Sequence, residues 1–362
     1  MNRRSFLKST SAAVVAGTLL DRFAIVEASD PPARRLIDWE YRRGSLGGVW
    51  EAWRKANDDA NVWSRVDVPH CFNAFDSVDP DNPYYQGPGW YRTKFRLTNP
   101  YPNGRTLLHF EGAGQKTEVF VHTEKVASHV GGYDEFVVDI TEKAKKFPQT
   151  EKDPALIPIA VMCDNSRDLE MIPSNLSDFN LNGGLYRYVN RSYVPAISFE
   201  RVYVEPELLA NGKGKVALKA RLYNPTGLKD ELEVNLEITD PAGRLIGSSS
   251  RKLVPWTGTL NLLTFSLNKP ELWSPKKPAL YRCTVTLNGV HGPQQVVERF
   301  GLRTFEFVKN GPFKLNGERL LIRGTQRHED HAGVAAAMTE EQMRREMRLI
   351  KDLGANFIRL GH

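Results

Sequence analysis

The hydrophobic period changes once along this chain, and that change limits the folds open to it. From residue 39 to about residue 303 the apolar residues fall in short runs separated by Gly, Pro, Asn and Asp. Alternation with period two puts successive side chains on opposite faces of a strand, so this stretch reads as antiparallel β structure. Beyond it the pattern lengthens. Residues 320–323 (Leu-Leu-Ile-Arg) form a short apolar strand, and a loop then runs to Met338. Thr339-Glu340-Glu341-Gln342 is a capping box, in which the Thr hydroxyl takes a free backbone N–H and Gln342 reaches back. Met343, Met347, Ile350 and Leu353 share one helical face, Gly354 stands where a helix should end, and residues 356–360 make a second strand. Strand, helix and strand over about 40 residues make one βαβ unit, the beginning of a parallel sheet. One such unit cannot bury its own faces.

The β region divides into a pair of modules. Trp90 to Leu97 alternates, as does Thr117 to His122, and residues 156–162 read as a buried strand, which together suit an antiparallel sandwich or jelly roll. A second module, about 201–303, has strand patterns at 215–223, 232–239, 262–267 and 281–287. The turns Asn224-Pro225-Thr226-Gly227 and Asp240-Pro241-Ala242-Gly243 punctuate them. About a hundred residues with seven or so strands fits an immunoglobulin-like sandwich, without its Cys–Trp–Cys pattern.

The N-terminus reads separately. Asn2-Arg3-Arg4-Ser5-Phe6-Leu7-Lys8 is a twin-arginine signature, followed by an apolar run from Ala12 to Leu20 and a small-residue cleavage site at Val26-Glu27-Ala28. That run is too short for a permanent membrane span, so residues 1–28 are expected to be a removed export signal rather than a stable anchor. The expected location is periplasmic or extracellular. A net charge of +6 is scattered, with no Lys/Arg stripe, which argues against a nucleic-acid partner. Cys71, Cys163 and Cys283 are far apart and show no zinc spacing, leaving one disulfide or buried thiols open.

Two histidines carry chemical interest. In parallel β/α units the functional groups gather at the C-terminal ends of the strands. His328 follows the first strand by a few residues and His362 follows the second, so both converge on that end. His328-Glu329-Asp330-His331 is a poor zinc motif, because its histidines are three apart in a loop rather than on one helical face. Gly112-Ala113-Gly114-Gln115-Lys116-Thr117 resembles a phosphate loop but leads into a strand, with no helix N-terminus to hold an anion.

Residues 323–329 (Arg-Gly-Thr-Gln-Arg-His-Glu) resemble the Arg-Gly-Val-Asn-Arg-His-Glu stretch of glycoside hydrolase family 2, departing at Thr325 and Gln326. Asn356, Arg359 and His362 are similar to that family's Asn-x-x-Arg-x-x-His signature. Further ordered markers are Gly89-Trp90-Tyr91-Arg92, residues 130–136 (Val-Gly-Gly-Tyr-Asp-Glu-Phe), Asp178 with Gly183-Gly184-Leu185-Tyr186-Arg187, and residues 299–303 (Arg-Phe-Gly-Leu-Arg). The resemblance implies a β-galactosidase or β-glucuronidase type of enzyme, with the first βαβ unit opening a TIM barrel. It further implies that Asp178, His328 and His362 bind sugar, and that such a site can draw in a sodium or magnesium ion. The family's acid/base and nucleophile glutamates are expected on later barrel strands, beyond residue 362, so no catalytic residue is assigned here.

The expected organisation is therefore mostly β: a signal at 1–28, a jelly-roll sugar-binding domain at 29–199, an immunoglobulin-like sandwich at 200–303 and an incomplete TIM barrel at 304–362. The expected function is that of the N-terminal portion of an exported retaining glycosidase, β-galactosidase-like, acting on a terminal β-linked sugar, with homo-oligomer formation left open. The alternatives are a non-catalytic carbohydrate-binding protein and a purely structural sandwich adaptor, the latter leaving the histidine-bearing loops unexplained.

Overall fold

The computed structural model describes residues 34–54, 63–76, 78–147, 156–172, 174 and 180–361. The expected signal at 1–28, Asp178 and His362 lie outside the described residues.

The first module is a sandwich of a six-stranded and a four-stranded sheet, both antiparallel. The larger sheet runs Ser64–Asp67, Asp38–Arg43, Pro88–Arg96, Leu156–Asp164, Lys116–Val121, Glu124–Val130 in spatial order. The smaller runs Arg34–Arg35, Val189–Val194, Arg105–Phe110, Phe136–Asp139. Strand Leu156–Asp164 is buried almost continuously because both of its faces are covered. Ile157, Ile159, Val161 and Cys163 enter the core between the sheets, with Tyr91, Leu108 and Phe110. Ala160 and Met162 point the other way, against Leu46, Ala52, Trp90 and Phe120, under the short 3₁₀ turn Val49–Trp53. At one end of this core the Tyr91 hydroxyl lies 2.8 Å from His70 Nδ1.

The second module has seven strands, as its pattern predicts. Ser198–Leu208, Gly214–Tyr223 and Leu260–Leu267 form one sheet, and Leu245–Leu253, Leu232–Thr239, Tyr281–Asn288 and Gln294–Phe300 the other. Leu232, Val234, Leu236 and Ile238 face inward while Glu233, Asn235 and Glu237 face out, the period-two alternation of a sheet with one buried side. Asp240 closes the turn after them, its Oδ1 accepting from the Ala242 and Arg244 amides at 2.9 Å each. All three cysteines are free and buried, and burial pushes each thiol up to about 12. The disulfide left open by the sequence does not form.

The two sandwiches meet through a polar joint. Arg105 donates to Asp139 Oδ2 at 2.6 and 2.8 Å, and the Tyr223 hydroxyl donates to the same oxygen at 2.6 Å. A small ribbon, Phe305–Phe307, Phe313–Leu315 and Glu318–Arg319, then leads out of the second module. Asn316 pins it there by donating to the Trp273 carbonyl at 3.0 Å.

The parallel pair follows, with one correction to its position. The first strand is Gly324–Arg327, paired in parallel with Phe357–Leu360, and not residues 320–323. The Asn356 side chain explains the shift. Its Oδ1 accepts from the Arg323 amide at 2.8 Å and its Nδ2 donates to the Leu321 carbonyl at 3.0 Å, which takes those groups out of any ladder. Helix Glu340–Asp352 joins the strands, and the predicted capping box is present in full. Gly354 ends the helix at φ +86°, a left-handed conformation suited to glycine. None of the helix residues is fully buried. Among the described residues no helix is long and apolar enough to cross a membrane.

Candidate functional site

A cavity of about 320 Å³ lies where the first sandwich meets the C-terminal ends of the two parallel strands. That volume falls in the range of small-molecule sites. The sandwich contributes Glu111, Gly112, Gln115, Gly132, Tyr133, Asn180, Asn182, Tyr186 and Arg187, and the parallel unit His328, Glu329, Asp330, Ala336, Leu360 and Gly361.

Two glycines let the sandwich wall form. Gly114 and Gly184 bridge their loops, with Gly114 N–H donating to the Gly184 carbonyl at 3.0 Å. A Cβ at Gly114 would run into the Tyr186 ring and the Asn182 carbonyl. One at Gly184 would stand 2.7 Å from the His70 carbonyl, and its φ of +116° is one that side chains avoid. The close approach therefore requires glycine at both positions. Tyr186 reaches across to donate its hydroxyl to the Gly132 carbonyl, and burial raises its phenol so that it stays a donor.

A charge network fixes the other wall. Glu329 is shared by two arginines: one oxygen meets Arg187 of the sandwich, the other lies 3.2 Å from Arg327. Arg327 also reaches Glu346 of the helix at 2.7 Å, and Glu346 in turn holds His331 Nδ1 at 3.0 Å. Arg187 further donates to the Ala336 carbonyl. Ala335, Ala336 and Ala337 pack against Cys71, Ala74 and Tyr186 of the sandwich. The loop that bears His328 is thus held from both sides. Burial lowers the basicity of Arg187, and the nearby Arg327 charge acts in the same direction.

His328 lines the cavity, and its imidazole is in contact with the Gln326 carboxamide. Beside it Asp330 keeps an exposed surface; desolvation on its protein side raises its carboxyl above the usual range, and the His328 charge opposes that shift. Asp178 and His362, the other two sugar-binding residues expected from the sequence, lie outside the described residues. The sequence reading missed Gln115, Tyr133, Asn182 and Arg187. The signal that could have found them was the glycine in each of their segments, Gly114, Gly132, Gly183 and Gly184, where backbones must approach. The four residues 328–331 do not form a cluster, since Glu329 and His331 turn to different partners. Among the described residues no group of three or more His, Cys, Asp or Glu side chains could hold a metal ion.

Two β-sandwiches in series, the first closing over the ends of parallel strands, define a modular protein whose candidate site is shared between sandwich and parallel unit. Residues 197–303 match glycosyl hydrolases family 2, and residues 307–362 match the TIM barrel domain of the same family. The chain is similar to the crystal structure of Parabacteroides merdae β-glucuronidase, at 49% identity and a TM-score of 0.86, over 91% of this chain and 42% of that one. It is similar also to Bacteroides uniformis β-glucuronidase 3, at 50% identity and a TM-score of 0.83, over 92% of this chain and 43% of that one. A β-galactosidase from Thermoanaerobacter pseudethanolicus is 26% identical over 332 residues, 90% of this chain and 42% of the relative. The chain therefore spans about two fifths of the length of these relatives. It belongs to glycoside hydrolase family 2.

Proposed function

We propose that this chain forms the sugar-binding wall of an exported retaining glycosidase that removes a terminal β-linked sugar, a β-glucuronide in preference to a β-galactoside. The observation that carries the reading is the shared cavity, where His328 and Asp330 face Gln115, Asn182 and Tyr133. The preference for glucuronides rests on the names of the relatives at 49% and 50% identity. Retaining hydrolysis needs one carboxylic acid to protonate the leaving oxygen and a carboxylate nucleophile about 5–5.5 Å away. Glu329 is not suited to either role, because both of its oxygens are engaged by arginines. The residues of this chain instead bind and orient the sugar: His328 at its hydroxyls, with Asp178 and His362 as proposed partners. A sodium or magnesium ion would have to draw on Asp178 and on groups beyond the described residues.

The test is hydrolysis of 4-nitrophenyl β-D-glucuronide and β-D-galactoside by the full-length gene product. Turnover of the glucuronide at the higher kcat/KM is expected, with His328→Ala lowering it by about 100-fold. Sugar binding without turnover would instead favour a carbohydrate-binding protein. That second reading draws on the engagement of Glu329 by Arg187 and Arg327. Export is tested by replacing Arg3 and Arg4 with Lys, which should retain the protein in the cytoplasm.

A further inference from the structure

Gln115 is 1% exposed, and neither its side-chain nitrogen nor its side-chain oxygen has a hydrogen-bond partner among the described residues. Buried carboxamides are nearly always hydrogen-bonded, since leaving one unpaired costs stability. Its backbone is held on both sides: the amide donates to the Asp164 carbonyl and the carbonyl accepts from Gly131, each at 3.0 Å. The side chain is therefore anchored at the rim of the larger sheet, and it lines the cavity that His328 and Asp330 also line.

The chemistry of the surroundings indicates which ligand group would satisfy it. Glu111 and Asp330 line the same cavity, and Glu329 and the Arg187 guanidinium there neutralise one another. A ligand carboxylate here would meet like charge. A pair of adjacent hydroxyls would not, and a carboxamide offers both a donor and an acceptor, which matches a diol that can donate with one hydroxyl and accept with the other. We propose that Gln115 is a sugar-binding residue whose carboxamide takes two adjacent ring hydroxyls, of a kind that β-glucuronides and β-galactosides share. The inference rests on the glycosidase reading above and deepens it: this wall binds the sugar without distinguishing the two substrate classes.

The experiment is Gln115→Met in the full-length gene product, assayed on both 4-nitrophenyl glycosides together with thermal unfolding. A fall in kcat/KM of about 10- to 100-fold is expected on whichever substrates the wild type turns over, by a similar factor for each. The unfolding temperature should hold or rise, because methionine removes an unpartnered amide while filling similar space. Loss of stability with unchanged kcat/KM would overturn the proposal and make the amide structural. A loss confined to one substrate would overturn it as well, since the amide would then bind a group the substrates do not share. Should the methionine variant fail to fold, Gln115→Asn withdraws the amide by one methylene and should still lose about 10-fold; wild-type kinetics there would overturn the assignment. A wild type inactive on all glycosides removes the proposed function and this inference with it, whereas an active wild type matched by Gln115→Met removes this inference alone.

Discussion

The immunoglobulin-like sandwich and the parallel unit that follows it bury their apolar residues to very different degrees. In the sandwich, Leu218, Val234, Leu236, Ile238, Cys283 and Val285 are all at most 1% exposed, and both sheets close on them. In the parallel unit the helix buries no residue completely, and Leu349, Leu353, Phe357 and Leu360 are exposed. The first region satisfies itself. The second is held to the first sandwich by the small apolar contact of Ala335, Ala336 and Ala337 and by polar links, the Arg187–Glu329–Arg327–Glu346 chain above all. Apolar area stabilises only when it leaves water, at about 25 cal/mol per Å². Equal numbers of leucines can therefore contribute very unequally.

The largest expected effect tests that statement directly. Leu236→Ala should destabilise the sandwich by about 3 kcal/mol, a transfer loss plus a cavity that a two-sheet core cannot close. Leu353→Ala, at a position 79% exposed, should change stability by less than about 0.5 kcal/mol. Urea unfolding of the 362-residue chain measures both. Equal losses at the two sites would mean that the parallel unit has a core of its own, and the contrast would fail.

A middle-sized effect is expected where the polar links are cut. Glu346→Gln removes the charge that faces both Arg327 and His331, and leaves the nearly buried Arg327 with Glu329 alone. Removing one partner of a partly buried pair should cost about 2 kcal/mol here, below the loss expected for a fully buried one. The cost should be local. Hydrogen exchange at residues 328–337 should speed up about 30-fold, while strands Leu232–Thr239 and Tyr281–Asn288 stay protected. Uniform loss of protection in both regions would show that the loop and the sandwich unfold as one unit, against the division drawn above.

The same division accounts for what could be read in advance. Strand 232–239 is legible residue by residue, because one buried face imposes strict alternation. The first parallel strand is misplaced to 320–323 because a run of apolar residues signals burial, yet Leu321 is 63% exposed and the Asn356 side chain occupies the backbone there. His328 is legible from its place after a strand. Gln115 is not, since its significance lies in contacts between segments far apart in the chain, and the local pattern Gly112 to Gln115 tests only for phosphate binding. The sandwich wall of the cavity is a product of packing, and the glycines mark where it forms without saying what it holds.

The smallest effect sharpens the comparison from the side of local structure. The Thr339 hydroxyl accepts from the Gln342 amide at 3.3 Å, and the Gln342 side chain accepts from the Thr339 amide at 2.8 Å. Both bonds are exposed, so each replaces a bond to water and contributes modestly. In a helix with full tertiary burial the loss of such a cap would be minor beside the packing. Here the packing is thin, and the first turn is tied to the sandwich through Glu340, whose amide donates to the Tyr188 hydroxyl at 3.1 Å and whose carboxylate meets Arg35 at 3.1 Å. Thr339→Ala should therefore cost about 1 kcal/mol, felt as fraying of helix Glu340–Asp352. Amide exchange in its first turn should rise about fivefold, and Thr339→Ser, which keeps the hydroxyl, should restore most of the protection. If alanine and serine behave alike, the capping box is not what holds this end, and the contacts of Glu340 must carry the helix instead.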